Sequence, residues 1–478
     1  MNVPSYEFFA FAAAVIILIN VSNAPAWRMA ILLVANIAFV LSFTRNAAQL
    51  APFAGLLVVG FAATTILATR KNRTLFAAFV VVLFVAFCWL KRYAFIPSTL
   101  LLPYVYFTVG MSYVFFRIMH LVIDAYQDAL PGRVGAVAFT NYTLNFTSFV
   151  SGPIQYYRDY VRTESERPEP LDRAAVGAAL ARIATGFFKV TVLSALLLFA
   201  QQRSTTLLFG AAGPADRMLF ALLAIGLFPL YLYFNFSGYT DVVIGIARLL
   251  RLVLPENFNK PFAARGYIEF WGRWHMTLSD WLKTYVYSPL LLSLMRRYPS
   301  RNVEPYLGVF AYFVTFFLVG AWHGQTVMFL IFGVLQGAGV SMNKLYQIQM
   351  IKALGRAGYR GLCANPAYDA LSRALTLAYF AVSLLAFWAT RPQLERLAST
   401  LGGAGEMLGA VVLVLAAAMG IAFIRMCASR FDGLQFVGTS PIVRRYATAA
   451  LYTAMVVATI SVTVVLNAPA PRIVYRAF

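Results

Sequence analysis

Charged side chains are scarce in this sequence: Asp, Glu, Lys and Arg make up 12% of its 478 residues, against roughly 25% in a soluble domain. That leaves too little polar surface to cover a particle of this length in water, which excludes a soluble globular protein. Cysteine is scarcer still. Cys88, Cys363 and Cys427 stand far apart with no metal or redox spacing, and Cys88 and Cys427 lie in apolar runs, where cysteine is a small hydrophobe. Histidine is limited to His120, His275 and His323. Internal repeats of fixed period and a separate soluble region are both missing.

What the chain has instead is apolar sequence, 61% hydrophobic overall. Runs approaching or reaching the roughly 17–25 residues that span a bilayer recur from end to end. Phe8–Leu18, Met29–Phe43, Phe53–Ala68 and Leu75–Leu90 come first, and Ala370–Ala389, Met407–Ile424 and Ala447–Leu466 come last. They are too many for a secretory signal and the first has no basic flank, so no cleaved targeting peptide is expected. About eleven transmembrane helices are expected, with short re-entrant helices between them.

Basic residues outnumber acidic ones 39 to 18, a net charge of +21. Nucleic-acid binding is set aside, because the cations gather in short loops rather than in a tract interleaved with exposed aromatics. Arg70–Arg73, Lys91-Arg92, Arg296-Arg297 and Arg444-Arg445 are such clusters, as expected of loops facing anionic cytoplasmic headgroups. Three spans precede Arg70, which puts the N-terminus outside a cytoplasmic (inner) membrane.

One integral membrane domain, residues 1–478, divides by content. Residues 1–105 are spans of low motif content, 106–345 a core, and 346–478 plain C-terminal spans. The stretch Tyr157–Arg173 is the most polar and reads as a loop. In the core, Trp, His, Asn, Asp and Arg intrude into apolar segments. Polar groups at membrane depth are tolerated only where they are buried in protein or line a cavity, and ionisable ones there suggest a functional site.

Two settings stand out. Read as a helix, Trp271, Trp274, Leu278, Trp281 and Tyr285 share one face. His275 sits beside that face, one turn from Ser279, and Glu269 and Arg273 stand at i,i+4 pairing distance. Such tryptophans also suit an interfacial belt. In the second setting Trp322 and His323 lie between Gly320 and Gly324, a small-xxx-small pair that admits a close helix and opens space beside the ring. Gly333, Gly337 and Gly339 continue the small-residue face. A histidine satisfied by a neighbouring helix fits this pattern as well. Imidazole, with an ordinary pKa near 6.5, takes a proton from a hydroxyl near neutral pH. No Ser, Cys or Asp nucleophile adjoins a histidine in sequence, so direct transfer with His323 as base fits better than a covalent route. Asn235, Ser237 and Asp241 follow an apolar run, and Asn257 lies in a Pro- and Asn-rich turn. Asp241 either polarises a site or pairs with an arginine such as Arg248. His120 reads as structural.

At these residues the chain resembles the membrane-bound O-acyltransferase family, in its bacterial branch of alginate O-acetylation and teichoic-acid D-alanyl transfer membrane proteins. The resemblance is carried by Phe234–Asp241 (FNFSGYTD), Pro255–Phe262 (PENFNKPF), Glu269–Trp281 (EFWGRWHMTLSDW), Tyr285–Leu290 (YVYSPL) and Gly320–Gly324 (GAWHG). Ser148–Tyr156 (SFVSGPIQY) precedes them, and Pro471–Phe478 weakly echoes the branch's aromatic ending. The branch commonly has Asp where this chain has Asn235.

The resemblance implies an all-α polytopic fold with helices around a central tunnel, and His323 and His275 as the catalytic pair. Trp271, Trp274, Ser279, Trp281, Trp322, Asn235, Ser237, Asp241 and Asn257 are the expected substrate-binding residues. It implies acyl transfer, acetyl first, from a cytoplasmic donor (acetyl-CoA or an acyl carrier protein) to hydroxyls of an extracytoplasmic polysaccharide. Transfer is direct or through an extracytoplasmic or membrane-anchored partner transferase, and no bound cofactor or metal is expected. D-alanyl or other short-acyl transfer is the alternative. A transporter or glycan flippase would show paired half-repeats or charged residues across two halves, and neither is seen.

Overall fold

The computed structural model of the protein describes residues 5–44, 46–93, 95–165, 171–431 and 441–465. The regular elements among these are all helices, and the sole β pairing is an isolated antiparallel bridge between Phe258 and Trp274. A helical chain satisfies its own backbone N–H and C=O groups, which a bilayer requires of any lipid-facing segment. Among the described residues eight helices are long and apolar enough to cross a membrane, nine if the bent pair Arg391–Thr400 and Ala404–Gly420 is one span. Two further apolar helices, Tyr6–Ile19 and Pro25–Leu41, are shorter than that, so eight or nine such helices stand among the described residues against the eleven or so expected. The chain is an all-α, multi-pass membrane protein.

Local chemistry explains the helix ends. Ser5 accepts from the amide of Phe8 to cap Tyr6–Ile19. Asn72 accepts from those of Thr74 and Leu75 to cap Arg73–Leu90. Each supplies an acceptor to N–H groups that have none inside the helix. The stretch read as a polar loop is partly helical, Tyr157–Ser165, and Asp172 then caps Arg173–Phe188. The segment Pro471–Phe478 and the side chain of Cys427 lie outside the described residues.

The chain forms two compact units. The first holds residues 1–190, 236–256 and 459–478. Its aromatic centre is Phe8, Phe39, Phe146 and Phe149, with Phe39 edge-on to Phe8 and Phe149. Arg117, 1% exposed, is more deeply buried than Arg28 or Lys91, the other buried cations described in this unit. It donates to the carbonyls of Thr143 and Ser148 and to the Ser148 hydroxyl, tying Met111–Gln127 to the SFVSGPIQY segment.

The second unit holds residues 191–235 and 257–458. Its main contact joins Glu304–His323 to Val327–Ala364, a hairpin turned by residues 324–326. The backbones touch at glycines. A Cβ on Gly320 would stand 2.3 Å from Gly333 Cα, and one on Gly337 2.7 Å from the Phe313 carbonyl. Gly339 turns the other way, toward the rings of Tyr267 and Tyr379. The flanking glycines of His323 therefore admit a helix and the Phe329 ring, which crowds Gly324, rather than opening space beside the imidazole.

Adding a methyl at this crossing forces the backbones apart, at about 1–3 kcal/mol or more. Gly320→Ala is expected to lower the thermal unfolding midpoint of detergent-solubilised protein by several degrees. Gly177→Ala, where a Cβ meets nothing within 4 Å, is expected to leave it unchanged or slightly raised. Equal midpoints for Gly320→Ala and the parent would remove this contact as a stability determinant.

Candidate active site

The run around His275 is not one helix. It breaks into Tyr267–Trp271 and Met276–Leu282, with His275 between them at φ 46°. A left-handed backbone costs a non-glycine residue roughly 1–2 kcal/mol, so surrounding bonds must impose it. The loop before the run supplies them. The amide of Met276 donates to the Asn257 carbonyl, and that of Asn259 to the Arg273 carbonyl. These flank the Phe258–Trp274 bridge. PENFNKPF is thus a clamp on RWHM, and strand-like pairing overrides the helical spacing.

Asn257, 1% exposed, organises the side chains here. Its Oδ1 accepts from Thr277 Oγ1 at 2.7 Å and from the Thr277 amide at 3.3 Å. His275 Nδ1 lies 3.3 Å from the same oxygen. A carbonyl oxygen only accepts, so the proton of His275 sits on Nδ1 and Nε2 is the acceptor-capable nitrogen. Burial pushes the His275 pKa down to about 3, keeping the ring neutral at physiological pH. Asn257 Nδ2 is buried with no acceptor among the described residues.

The tryptophans of this stretch are buried rather than belted at a surface. Trp274 packs among Tyr233, Phe258, Phe270 and Phe380. Trp281 stands 5.1 Å from Tyr285, and the Ser279 hydroxyl lies 3.5 Å from the Trp274 carbonyl. Glu269 and Arg273 form the expected i,i+4 ion pair, at 2.8 Å. Trp271 meets Phe316 at 5.0 Å, which joins the His275 segment to the helix carrying His323.

His323 closes that helix and is 2% exposed. Its ring is caged by Trp322 at 4.6 Å, Phe387 at 5.2 Å and Phe332 at 5.7 Å. The second unit therefore contains His275, His323, all four expected tryptophans, Ser279, Asn257 and the fully buried Asn235.

Ser237 and Asp241 belong to the first unit, since the helix Pro214–Leu249 contributes to both. Asp241 does not pair with Arg248. It takes Arg182 at 3.0 Å and Lys189 at 2.6 Å, while Arg182 also grips Glu256. Arg248 instead approaches Glu256, at 3.8 Å. Gly186 and Gly238 cross at the same place, each with the other's carbonyl within 2.7 Å of a built Cβ. FNFSGYTD thus supplies a close helix crossing and the acid of a partly buried ion-pair network. His120 is likewise in this unit, 1% exposed, with Nε2 accepting from the Tyr157 amide at 3.0 Å.

Arg182 and Lys189 were not singled out above, although two cations seven residues apart in an apolar span share a face. Gln336 was missed too. It takes the Tyr267 hydroxyl and donates to Ser383 Oγ at 2.9 Å. Among the described residues no group of three His, Cys, Asp or Glu is placed to hold a metal ion.

A family model described as MBOAT, membrane-bound O-acyltransferase family, matches residues 73–371. The chain is 30% identical over 250 residues to a protein named "Probable alginate O-acetylase AlgI" from Pseudomonas syringae pv. tomato, covering 51% of this chain and 44% of the relative. It is 29% identical over 292 residues to "Teichoic acid D-alanyltransferase" from Streptococcus thermophilus, covering 58% and 68%. It is 31% identical over 218 residues to "Peptidoglycan O-acetyltransferase" from Helicobacter pylori, covering 44% and 38%. The matches span about half the length of the alginate O-acetylases.

Removing Asn257 Oδ1 would leave buried donors without their acceptor, a loss of about 1–3 kcal/mol. Asn257→Ala is expected to lower the unfolding midpoint more than Thr277→Val, and unchanged stability would contradict the clamp. Glu256 generates a pH dependence. Its pKa is held below the ordinary 4.5, first by the Arg182 hydrogen bond. Its contribution is therefore complete above the unfolded value and is lost as pH falls through 4.5 toward the folded value. Thermal unfolding between pH 7 and pH 3 should show a steeper acid loss for the parent than for Glu256→Gln. Parallel profiles would contradict the ion pair.

Proposed function

The chain belongs to the membrane-bound O-acyltransferase family, and on that premise we propose that it transfers an acyl group, acetyl first, from a cytoplasmic donor to hydroxyls of an extracytoplasmic polysaccharide. The observation that carries this reading is His323, 2% exposed at the last turn of its helix inside an aromatic cage. Exclusion of water from such a site protects an activated acyl donor from hydrolysis. His323 takes the proton of the acceptor hydroxyl as its oxygen attacks the acyl carbonyl carbon. The ester bond forms, the bond to the donor's leaving group breaks, and the imidazolium returns the proton to that group. Acetyl-CoA or an acyl carrier protein is the donor class. The product leaves directly or through a partner transferase.

His275 is assigned a positioning role. Its strained backbone and its Asn257 partner make it a rigid neutral imidazole, and strain held at one residue by its surroundings is a feature of functional sites. Asn257 Nδ2, a buried donor, is the group we assign to the acyl carbonyl, where charge develops during attack.

Charge supports the orientation. Glu304 and His323 lie at opposite ends of a 20-residue helix, about 30 Å apart at 1.5 Å per residue. Arg296 and Arg297 precede the Glu304 end. Lys352 reaches Tyr306 at 2.8 Å, which adds another cation there. The positive-inside rule assigns that end to the cytoplasm and the His323 end to the outside.

D-alanyl or other short-acyl transfer is the second reading. It is favoured by the 68% of the Streptococcus thermophilus D-alanyltransferase that the chain covers. Labelled acetyl-CoA against a labelled aminoacyl carrier protein, offered to purified protein, separates the two.

His323→Ala is expected to reduce polysaccharide ester content by 100-fold or more, the scale of a lost general base, with protein abundance in the membrane unchanged. Mass spectrometry of surface polysaccharide measures this, and a wild-type ester content would remove His323 as base. His275→Ala should reduce activity more than His120→Ala. The reverse order would move the site to the first unit.

A further inference from the structure

Gln336 is fully buried in the second unit, a neutral amide on the helix Val327–Ala364. An amide on a membrane-spanning helix is costly unless both its carbonyl and its N–H groups find partners. Here both do. The Tyr267 hydroxyl donates to Gln336 Oε1, and Gln336 Nε2 donates to Ser383 Oγ at 2.9 Å. Ser383, 2% exposed, donates in turn to the Phe380 carbonyl at 2.9 Å. Gly339 makes room for this chain, since a Cβ there would stand 2.8 Å from the Tyr267 ring. Tyr379 braces it, donating to the Leu335 carbonyl at 2.5 Å and meeting the Tyr267 ring edge-on at 5.0 Å.

The chain of hydrogen bonds lies between the two imidazoles. On one side the Tyr267 ring stacks on Phe270 at 5.8 Å, and Phe270 stacks at 5.6 Å on Trp274, the residue before His275. On the other side it reaches the cage of His323. Gln336 lies one helical turn from Phe332, and Ser383 lies four residues before Phe387. Phe387 sits on Leu385–Trp388, a single helical turn. One turn has little stability of its own, so its placement depends on the residues that anchor it. The Gln336–Ser383 bond ties the start of that turn to the helix of Phe332, and the Phe332 and Phe387 rings then meet at 5.1 Å.

We propose that Gln336 is a positioning residue for both histidines. Its N–H group holds Ser383, and with it the turn bearing Phe387, against His323. Its carbonyl holds Tyr267, and with it the segment that leads to His275. Gln336 acts through these neighbours and not on the reacting atoms. The inference rests on the reading of His323 as the base, and adds the group that keeps the base's cage closed to water.

The chain has three histidines, so carbethoxylation by diethylpyrocarbonate, read by peptide mass spectrometry, reports on all of them together. Untagged full-length protein in nanodiscs is the sample. His120, buried in the first unit, is the internal reference. Gln336→Leu removes both polar groups at similar volume, and is expected to raise the His323 rate by roughly 5-fold or more. Ser383→Ala removes only the acceptor, and is expected to raise that rate by roughly 3-fold or more. His120 should not change in either. Both variants break one chain, so the double variant should match Gln336→Leu alone.

A parent-like His323 rate in both variants overturns the proposal. So does an equal rise at His120, which marks loosening of the whole chain and not of the cage. Should Gln336→Leu fail to reach the membrane, Ser383→Ala decides by the same criteria. Where His323→Ala loses its polysaccharide ester, Gln336→Leu should lower ester content by roughly 10-fold or more, and a parent-like content would overturn the positioning role. If the cage opens as expected while His323→Ala keeps its ester, the hold of Gln336 on the cage stands and the catalytic reading falls. If ester content depends on His323 but neither variant changes its rate, the role of Gln336 falls alone.

Discussion

The second unit depends on the contact between the backbones of Glu304–His323 and Val327–Ala364. Side-chain burial drives helices together in water, but lipid tails are as apolar as leucine, so association in a membrane relies on close packing and hydrogen bonds. Gly320 against Gly333, and Gly337 against the Phe313 carbonyl, supply that packing where no side chain intervenes. The hairpin brings the start of Val327–Ala364 back over the end of its partner, so that Phe332 and Phe387 close on His323. The cage around the imidazole thus follows from small residues elsewhere on the same helix pair.

A second constraint acts on His275. Two loops with little regular structure, residues 257–262 and 272–275, lie side by side with Asn257, Pro261, Trp274 and His275 buried, and backbone groups there must find partners. They do so by pairing with each other, and Asn257 adds a side-chain oxygen to the same seam. Pairing of this kind fixes backbone angles more tightly than a helix end would. It holds His275 in a conformation the residue would not adopt alone. Trp271 against Phe316 then ties this seam to the helix that ends at His323.

These relations explain what could be read in the sequence. Spans such as Ala51–Thr69 and Arg73–Leu90 were legible because burial in lipid leaves a long apolar record and caps such as Asn72 leave a local one. The motifs around His275 and His323 were legible as polar groups in apolar surroundings, and their resemblance to a family added the chemistry. The break at His275 was not. Its cause is a partner loop 16 or more residues upstream, and periodicity within one window carries no trace of it. Asp241 shows the same limit: Arg248 lies seven residues away and was the visible partner, whereas Arg182 and Lys189 arrive from another helix. The glycines beside His323 were read as room for a substrate because spacing reveals that a side chain is absent, not what fills the gap.

The placement of polar groups in the second unit has a consequence for direction. Glu304–His323 starts near Arg296, Arg297 and the Lys352–Tyr306 contact and ends in the aromatic cage of Trp322, Phe332 and Phe387 around His323. An acyl donor with phosphate or carboxylate groups is attracted to the first end. The two ends of this helix thus differ in kind, cations beside one and packed rings around the other, and the proposed donor side rests on that difference. A base at its terminus would receive the acceptor proton without either substrate crossing the whole membrane.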